Sequence, residues 1–285
     1  MSTERVRVGG IAVELSKTDK ILFPDDKIAK GELVSYYRDI AGRMLPYLRG
    51  RPLAMLRQPD GITGERIFQK NVPEYFPDWI TRVRVEKEDG ALQQVVCDRA
   101  ATLVYLANQA CIEPHVFLSR TDRLDHPDHM VFDLDPPDER HFDAARWGAL
   151  LLREFLEDEL GLVPFVKTSG GKGLHVHVPL DRRTDFDTVR GIARAVAELL
   201  ADRHPDRLTT EQRKDKRGER LFVDYLRNAY AQTVVAPYSV RARPAAPVAT
   251  PLHWDEVEDD RLRPDAFTLR TLPKRLEHTS DPWAG

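Results

Sequence analysis

Two kinds of apolar pattern alternate along the chain. In some segments apolar residues recur every three or four positions, as on one face of a helix. In others they fill a short run or every second position, as in a strand. The first pattern predicts helices at residues 30–48, 100–110, 142–160 and 186–204. The second predicts strands at residues 5–15, 53–57, 66–70, 80–86, 94–97, 114–119, 130–134, 162–168, 174–180 and 221–225.

The order of these elements predicts a mixed α/β fold in a single compact unit, because neither an internal repeat nor a clear linker interrupts it. Strands dominate residues 1–110, which we expect to form an N-terminal lobe. Strands and long helices alternate in residues 111–245, the expected core, where residues 120–129 should form a charged loop. Residues 246–285 are rich in proline and should close the unit, with one short helix near Trp254.

Composition and charge narrow the class of protein. The 285 residues are 41% hydrophobic, enough for a substantial core, and 43 basic residues nearly balance 46 acidic ones. A nucleic-acid surface would therefore be a local basic patch. Cys97 and Cys111 have no His or Cys nearby at metal-ligand spacing, so zinc is not expected. No apolar run approaches the ~18 residues that cross a bilayer, and we expect a cytoplasmic protein.

Two carboxylates, Asp133 and Asp135, stand at the end of the apolar run 130–134, just before Pro136. Residues two apart on a strand share a face, so their like charges lie side by side. A pair of divalent cations with oxygen ligands, Mg²⁺ or Mn²⁺, would relieve that repulsion, and such a pair catalyses phosphoryl transfer. Taken alone, the motif is more often a solvated or capping pair before a proline turn.

Two further segments could act together with these carboxylates, one as a metal ligand and one as an anion-binding loop. Asp224 ends the strand at 221–225 and could supply a third metal ligand, or could simply pair with a neighbouring arginine. The sequence SGGKG at residues 169–173 joins two predicted strands. Its glycines free backbone amides to approach an anion, and its serine and lysine add a hydroxyl and a cation. The segment lacks the spacing of a P-loop and could also be a flexible hairpin tip.

In this order, the DxD pair, SGGKGLHVHVPL, LFVDYLRN and APYSVRAR resemble the polymerase domain of bacterial ligase D, a member of the archaeo-eukaryotic primase superfamily used in non-homologous end joining. The similarity extends over nearly the whole chain, from VELSKTDKILFPDDKIAKGEL near the start to PAAPVATPLHWDEV near the end. It implies a primase-type fold, in which a catalytic sheet is flanked by helices and packed against a strand-rich N-terminal lobe. Residues 111–245 would then be the catalytic core.

The resemblance also assigns roles to individual positions. It implies that the catalytic and metal-binding residues are Asp133, Asp135 and Asp224. It implies that the nucleotide is bound by His115, Ser169, Lys172, His175, Arg217 and Arg241. Lys20 and Lys30 match two lysines that hold the 5′-phosphate at a DNA gap or end. Phe68 matches one member of an aromatic pair that stacks on template bases, and Ile67 stands in place of the other.

The function that the resemblance implies is a DNA-dependent polymerase that adds nucleotides, preferably ribonucleotides, to a primer during end joining. Its cofactors would be two divalent metals, Mn²⁺ or Mg²⁺, and its substrates nucleoside triphosphates. Its partners would be gapped or 5′-phosphorylated DNA, Ku and a DNA ligase, and the protein would be a monomer at the bacterial nucleoid. Three alternatives stay open: a primase that needs no primer, a two-metal nuclease or phosphatase, and a DNA-end-binding module with little catalysis.

Overall fold

The computed structural model describes residues 3–87 and 90–283. Its strands are β1 (Thr3–Val8), β2 (Ile11–Ser16), β3 (Ile21–Phe23), β4 (Ile28–Ala29), β5 (Pro52–Arg57), β6 (Ile67–Gln69), β7 (Arg82–Lys87), β8 (Gly90–Val96), β9 (Cys111–Phe117), β10 (Ser119–Arg120), β11 (Arg123–Pro127), β12 (His129–Asp135), β13 (Phe165–Thr168), β14 (Leu174–Pro179), β15 (Leu208–Thr209), β16 (Leu221–Asp224), β17 (Thr233–Val235) and β18 (Pro251–Leu252). Its helices are α1 (Lys30–Asp39), α2 (Ala41–Leu48), α3 (Ala100–Asn108), α4 (Phe142–Glu154), α5 (Phe186–Arg203), α6 (Trp254–Glu258) and α7 (Leu272–Leu276). In the described part of the chain, none of these helices combines the length and apolar character needed to cross a membrane.

Two six-stranded sheets form the framework. The first sheet has the strand order β17-β9-β5-β8-β7, with β6 paired to β5. The second sheet has the order β15-β16-β12-β14-β13-β18, and its strands are antiparallel except for the pair β15 and β16. With the helices, this arrangement confirms the predicted mixed α/β class.

Strand β12 divides the second sheet into an apolar and a polar face. Met130, Phe132 and Leu134 are buried in a hydrophobic core that α4 and α5 help to form. Because successive side chains of a strand point to opposite faces, Asp133 and Asp135 project on the other side. The two long helices therefore lie on one face of the sheet, and the carboxylates lie on the other.

The first sheet packs with α1, α2 and α3 around a separate hydrophobic core. Leu33 of α1, Met44 of α2 and Val104 of α3 are fully buried in it. Val240 and Val248, from the proline-rich part of the chain, lie in the same core. The C-terminal segment therefore packs over the N-terminal half of the molecule.

The single strand predicted at residues 5–15 is wrong, because these residues form the hairpin of β1 and β2. Gly9 and Gly10 both have positive φ angles, of 57° and 83°, which lets the chain reverse within two residues. The predicted loop at residues 120–129 is also wrong, since β10 and β11 form a small antiparallel pair there. Most of its residues are polar, so the sequence shows no apolar pattern there.

Two predicted helices differ from the observed ones. The helix predicted at residues 30–48 is two helices, α1 and α2, that meet at Ile40. Pro46 lies inside α2, and its ring crowds the carbonyl four residues earlier, in the first turn of that helix. The helix predicted at residues 142–160 keeps α-helical geometry only to Glu154, after which one turn at residues 155–159 widens to a π-helix.

A buried ion pair joins the start of β5 to the turn before β12. Arg51 donates from Nη1 and Nη2 to the two carboxylate oxygens of Asp128, at 2.6 and 2.7 Å, and Arg120 donates to the same carboxylate at 2.7 Å. Burial alone would raise the pKa of Asp128, but Arg51 and its other basic neighbours lower it overall. The two sheets are thus linked by a charge pair that is 3% and 8% exposed.

Replacing one partner of this pair should destabilise the protein strongly. We expect Asp128→Asn to lower the free energy of unfolding by about 3 kcal/mol, because it leaves Arg51 buried without a counter-charge. Urea unfolding at pH 7 measures this. Asp122→Asn is the matched control: Asp122 contacts Arg182 at 2.8 Å, but its side chain is 67% exposed. The control should change stability by less than about 0.5 kcal/mol, and equal losses in both variants would contradict the prediction.

Candidate active site

Four polar residues lie in one line across the second sheet. In the register of β12 with its two neighbours, Asp133 lies opposite Asp224 of β16 and opposite His175 of β14. Lys167 of β13 lies opposite His175 in turn. Directly opposed residues of antiparallel strands share a face, and Asp135 shares it because it is two residues further along β12. The sheet therefore brings the three predicted carboxylates together.

Asp133 is the carboxylate most affected by its surroundings. Burial, followed by the charges of Asp224 and Asp135, raises its pKa to about 7. His175 Nε2 lies 3.4 Å from Asp133 Oδ1. Burial and the charge of Lys167 lower the pKa of His175, so its imidazole is neutral and offers Asp133 no positive charge. A cation bound among the carboxylates would relieve their repulsion.

Basic side chains lie against the other two carboxylates. Lys172 Nζ is 3.1 Å from Asp135 Oδ1, and Arg217 Nη1 is 3.4 Å from Asp135 Oδ2. Arg227 Nε is 4.0 Å from Asp224 Oδ2. These contacts place cations where a polyphosphate would also need them.

The carboxylates fit a divalent metal by their chemistry. Oxygen donors are what Mg²⁺ and Mn²⁺ prefer, and a bound cation would offset the repulsion that Asp224 and Asp135 exert on buried Asp133. Within residues 3–87 and 90–283, no three His, Cys, Asp or Glu side chains already converge on a point that could hold an ion. Lys172 and Arg217 would have to release Asp135 for the ligands to gather.

The glycine-rich loop joins β13 to β14, as predicted, and packs directly against the end of β12. A Cβ atom at Gly173 would lie 2.0 Å from the carbonyl oxygen of Leu134, so only glycine permits this approach. The close packing places Lys172 Nζ 2.5 Å from the carbonyl oxygen of Pro136 and beside Asp135. The loop thus holds a cation at the edge of the carboxylate face.

Two arginines support this region from outside the loop. Arg241 donates from Nη1 to the carbonyl oxygen of Ser169, whose Oγ accepts hydrogen bonds from the amides of Gly171 and Gly173 at 3.1 and 3.3 Å. Arg217 donates to two loop carbonyls at 2.8 Å each, and its guanidinium lies 3.6 Å over the ring of Phe222. Both guanidinium groups are therefore held in place before any ligand binds.

A cleft of about 410 Å³ opens between the two sheets, over the carboxylates. It is lined by eight of the predicted site residues: Phe68, His115, Asp133, Asp135, Ser169, Lys172, His175 and Arg241. Phe68 is 48% exposed and packs edge-on against His115, with ring centroids 5.5 Å apart. The volume is that of a small-molecule site, and its lining combines anionic, cationic and aromatic groups.

Two of the other predicted residues, Asp224 and Arg217, lie beside the cleft without lining it.

Lys20 and Lys30 form a separate pair. The amide of Lys30 donates to the carbonyl oxygen of Lys20 at 2.8 Å. Lys20 Nζ contacts Asp60 at 2.6 Å, and Lys30 Nζ donates to a carbonyl oxygen at the end of α3. Burial, and then the charges of Lys17 and Lys20, lower the pKa of Lys30.

Several residues of the site were not predicted from the sequence. Arg227 and Arg243 line the cleft, and Lys167 and Glu113 are buried beneath it. Arg57 donates to the carbonyl oxygen of residue 109, next to the one that Lys30 binds. The sequence contains features that could have pointed to two of these residues. Lys167 interrupts an apolar strand, and Glu113 precedes His115 by two positions on a strand and so shares its face.

Comparison with known proteins identifies the family. The sequence profile described as LigD, primase-polymerase domain, matches residues 29–283. The chain belongs to this family. The multifunctional non-homologous end joining protein LigD of Pseudomonas aeruginosa is 36% identical over 284 residues, which are 98% of this chain and 33% of that protein. The bifunctional non-homologous end joining protein LigD of Bacillus subtilis is 33% identical over 272 residues, 95% of this chain and 43% of that protein.

The LigD primase-polymerase fold is also found by comparison of structures. The polymerase domain from Mycobacterium tuberculosis ligase D, solved in complex with DNA, matches with a TM-score of 0.89 at 31% identity. The match covers 94% of this chain and 96% of that one. The predicted family and fold are therefore confirmed, while the chain spans only 33% to 43% of the length of the curated LigD relatives.

Asp133→Asn should stabilise the metal-free protein, because it removes one of three repelling charges. At pH 8 we expect the thermal unfolding midpoint, measured with a chelator, to rise by about 4 °C. The folded-state pKa of Asp133 lies above its unfolded value, so the wild type loses stability as the pH rises from about 4 to 7. The gain from the substitution should therefore shrink at pH 4.

The control is Asp187→Asn, which changes an exposed acid of α5 and should show no such pH dependence. Mn²⁺ should raise the unfolding midpoint of the wild type more than that of Asp133→Asn. A variant less stable than the wild type at pH 8 without metal would contradict the interpretation of Asp133.

Proposed function

We propose that this chain is a nucleotidyltransferase that extends a DNA primer at gaps or ends during non-homologous end joining. The observation that carries the proposal is the meeting, in one cleft, of the carboxylate face of β12 and β16 with the glycine-rich loop and its Lys172. Carboxylates that need a cation and a loop suited to an anion are the two halves of a site for a metal-bound triphosphate. The names of the relatives support the repair context.

The residues that would hold two divalent metals, Mn²⁺ or Mg²⁺, are Asp133, Asp135 and Asp224. When bound, such ions would neutralise the carboxylates and make the primer 3′-hydroxyl more acidic. In the overall reaction that hydroxyl attacks the α-phosphate of a nucleoside triphosphate. A new phosphodiester bond forms and pyrophosphate leaves, without a covalent bond to the protein.

The chain's own cations would hold the triphosphate. Lys172 now contacts Asp135, and its remaining partners are backbone carbonyl oxygens, so a phosphate oxygen can replace them with a charge-assisted bond. Ser169 would donate its hydroxyl, and Arg241 and Arg217 would add fixed guanidinium groups. Because these groups are already in place, little conformational entropy is lost when the nucleotide binds.

Contacts with DNA would lie on either side of this cleft. Lys20 and Lys30, with Arg57 nearby, would bind the 5′-phosphate beyond a gap, because their cationic groups can form charge-assisted hydrogen bonds to phosphate oxygens. Phe68 would stack on a template base, since its half-exposed ring stands at the nucleotide cleft. Ile67, 36% exposed, would add apolar contact in place of a second ring.

Three further features are proposed from the family resemblance: a preference for ribonucleotides, a preference for manganese, and association with Ku and a DNA ligase. The relatives are named bifunctional and multifunctional, and each is more than twice as long as the matched segment. The polymerase reaction would then be one step of a longer repair sequence in which a ligase seals the filled gap.

The first test is nucleotide addition on a gapped duplex with a 5′-phosphate, Mn²⁺ and labelled ribo- or deoxynucleotides. The wild type should extend the primer, and Asp133→Ala should slow extension by about 10³-fold, because the carboxylates act on the reacting atoms. Asp187→Ala, an exposed acid of α5, should extend normally. Normal extension by Asp133→Ala would overturn the proposed mechanism. Synthesis on an unprimed template would indicate a primase, and DNA hydrolysis without incorporation a nuclease.

The second test concerns the 5′-phosphate. Lys20→Gln and Lys30→Gln should each reduce the preference for phosphorylated over unphosphorylated gaps by roughly tenfold, because each removes a charge-assisted contact. The ratio of extension rates on the two gaps measures this preference. Lys27→Gln is the matched control, because Lys27 is an exposed lysine in the turn between β3 and β4. An unchanged ratio in both site variants would remove the end-joining interpretation of this pair.

A further inference from the structure

Glu113 is a buried carboxylate that touches two walls of the cleft. It lies on β9 and is only 2% exposed. Its Oε2 is 3.0 Å from His115 Nε2 and 3.0 Å from Arg241 Nε, and its Oε1 accepts a hydrogen bond from the amide of Ala242 at 2.8 Å. His115 and Arg241 both line the cleft, whereas Glu113 lies behind them. One carboxylate therefore contacts both His115 of the first sheet and Arg241, the arginine that packs on the glycine-rich loop.

The charge of Glu113 decides which nitrogen of His115 carries the proton. Burial alone would raise the pKa of Glu113, but the hydrogen bond from His115, the charge of Arg241 and the amide of Ala242 lower it to about 2. An ionised carboxylate has only acceptor oxygens, so His115 Nε2 must be the donor. Burial lowers the pKa of His115, so its ring is neutral and Nδ1 keeps its lone pair.

The unprotonated Nδ1 of His115 can bind different ligand groups from the cationic side chains nearby. Among the described residues, Nδ1 of His115 has no hydrogen-bond partner, and its ring lines the cleft. A nitrogen with a lone pair accepts hydrogen bonds from a hydroxyl or an N–H group and repels the oxygens of a phosphate. His115 can therefore meet the sugar or base of a nucleotide, while the phosphates lie at Lys172 and Arg241.

Arg241 depends on the same carboxylate. Its Nη1 donates to the carbonyl oxygen of Ser169, and its Cγ would lie 2.6 Å from a side chain at Gly170, so the arginine packs tightly on the loop. Burial, and then the charge of Arg241, lower the pKa of the fully buried Lys167 nearby. Among the described residues, Glu113 is the one carboxylate within ion-pair distance of Arg241.

We propose that Glu113 is a positioning residue of the nucleotide site. It fixes the Nε2 proton of His115 and holds Arg241 against the glycine-rich loop, so the cleft presents an acceptor nitrogen to the nucleoside and a cation to its phosphates. The assignment deepens the proposed nucleotidyltransferase function and rests on it for its catalytic consequence. The arrangement of the proton on His115 belongs to the free protein and can be tested by itself.

Glu113→Gln is the informative variant. The Gln carbonyl oxygen can still accept from the Ala242 amide, which places the NH₂ group beside His115 Nε2 and Arg241. That group donates, so it forces His115 to carry its proton on Nδ1 and leaves Arg241 without a counter-charge. We expect the KM for nucleotide in the gap-filling assay to rise about tenfold or more, with kcat changed less than about threefold, as for lost binding groups.

Two further variants separate positioning from stability. Glu113→Asp keeps the charge and should recover part of the loss in KM. Asp128→Asn also removes a buried charge partner, but Asp128 does not line the cleft, so this variant should lose stability and keep a normal KM. A wild-type KM in Glu113→Gln, or the same rise in KM in Asp128→Asn, would overturn the proposal.

The position of the proton is measured in the free protein by long-range ¹H–¹⁵N correlation spectra of the imidazole rings. The chain has nine histidines, and His115→Gln identifies the signal to follow. We expect the Nε2–H form in the wild type and the Nδ1–H form in Glu113→Gln. A wild-type His115 protonated on Nδ1 would overturn the proposal. A wild type that adds no nucleotide would instead remove the proposed function, and the spectra would still decide the role of Glu113.

Discussion

The register of β12 with its two neighbours is the constraint on which the site depends. It sets Asp133 opposite Asp224 on one side and opposite His175 on the other. Side chains alternate along a strand, so a shift by one residue would turn the carboxylates towards α4 and α5 and bring Phe132 and Leu134 into the cleft. Phe132 and Leu134 alternate with the carboxylates along β12. They prevent such a shift, because their burial under the helices stabilises only the observed register.

The same constraint explains the electrostatics. Opposed strands place three carboxylates on one face, and burial together with the charges of Asp224 and Asp135 raises the pKa of Asp133 to about 7. An amide in place of Asp133 would remove this repulsion, whereas a carboxylate at that position can also bind a cation.

Two groups of buried charged residues link separate parts of the fold. Arg51 and Asp128 join the two sheets away from the lining of the cleft, and Glu113 joins His115 of the first sheet to Arg241 beside the glycine-rich loop. A buried pair contributes little net stability, because desolvation offsets much of the attraction. The contacts of Glu113 instead orient two side chains that line the cleft.

Many of the helices and strands were predicted from local patterns in the sequence. The long helix at residues 186–204 and the strands at 130–134 and 174–180 were predicted within two residues, because each has an apolar face with a clear period. Short elements were missed, including β10, β11 and β17, since two to five residues are too few to show such a period. The break at Ile40 was missed because the apolar period continues across it.

The sequence by itself determined which residues could do chemistry: carboxylates at the ends of apolar strands, and a glycine-rich loop with a lysine between them. Spacing along one strand is enough to show that Asp133 and Asp135 share a face. Only the tertiary structure decided that Asp224 lies opposite Asp133, that Lys167 and Glu113 are buried beneath the cleft, and that Lys20 and Lys30 form a separate patch. These relations join residues from different strands and sheets, and no period along the chain encodes which strands become neighbours.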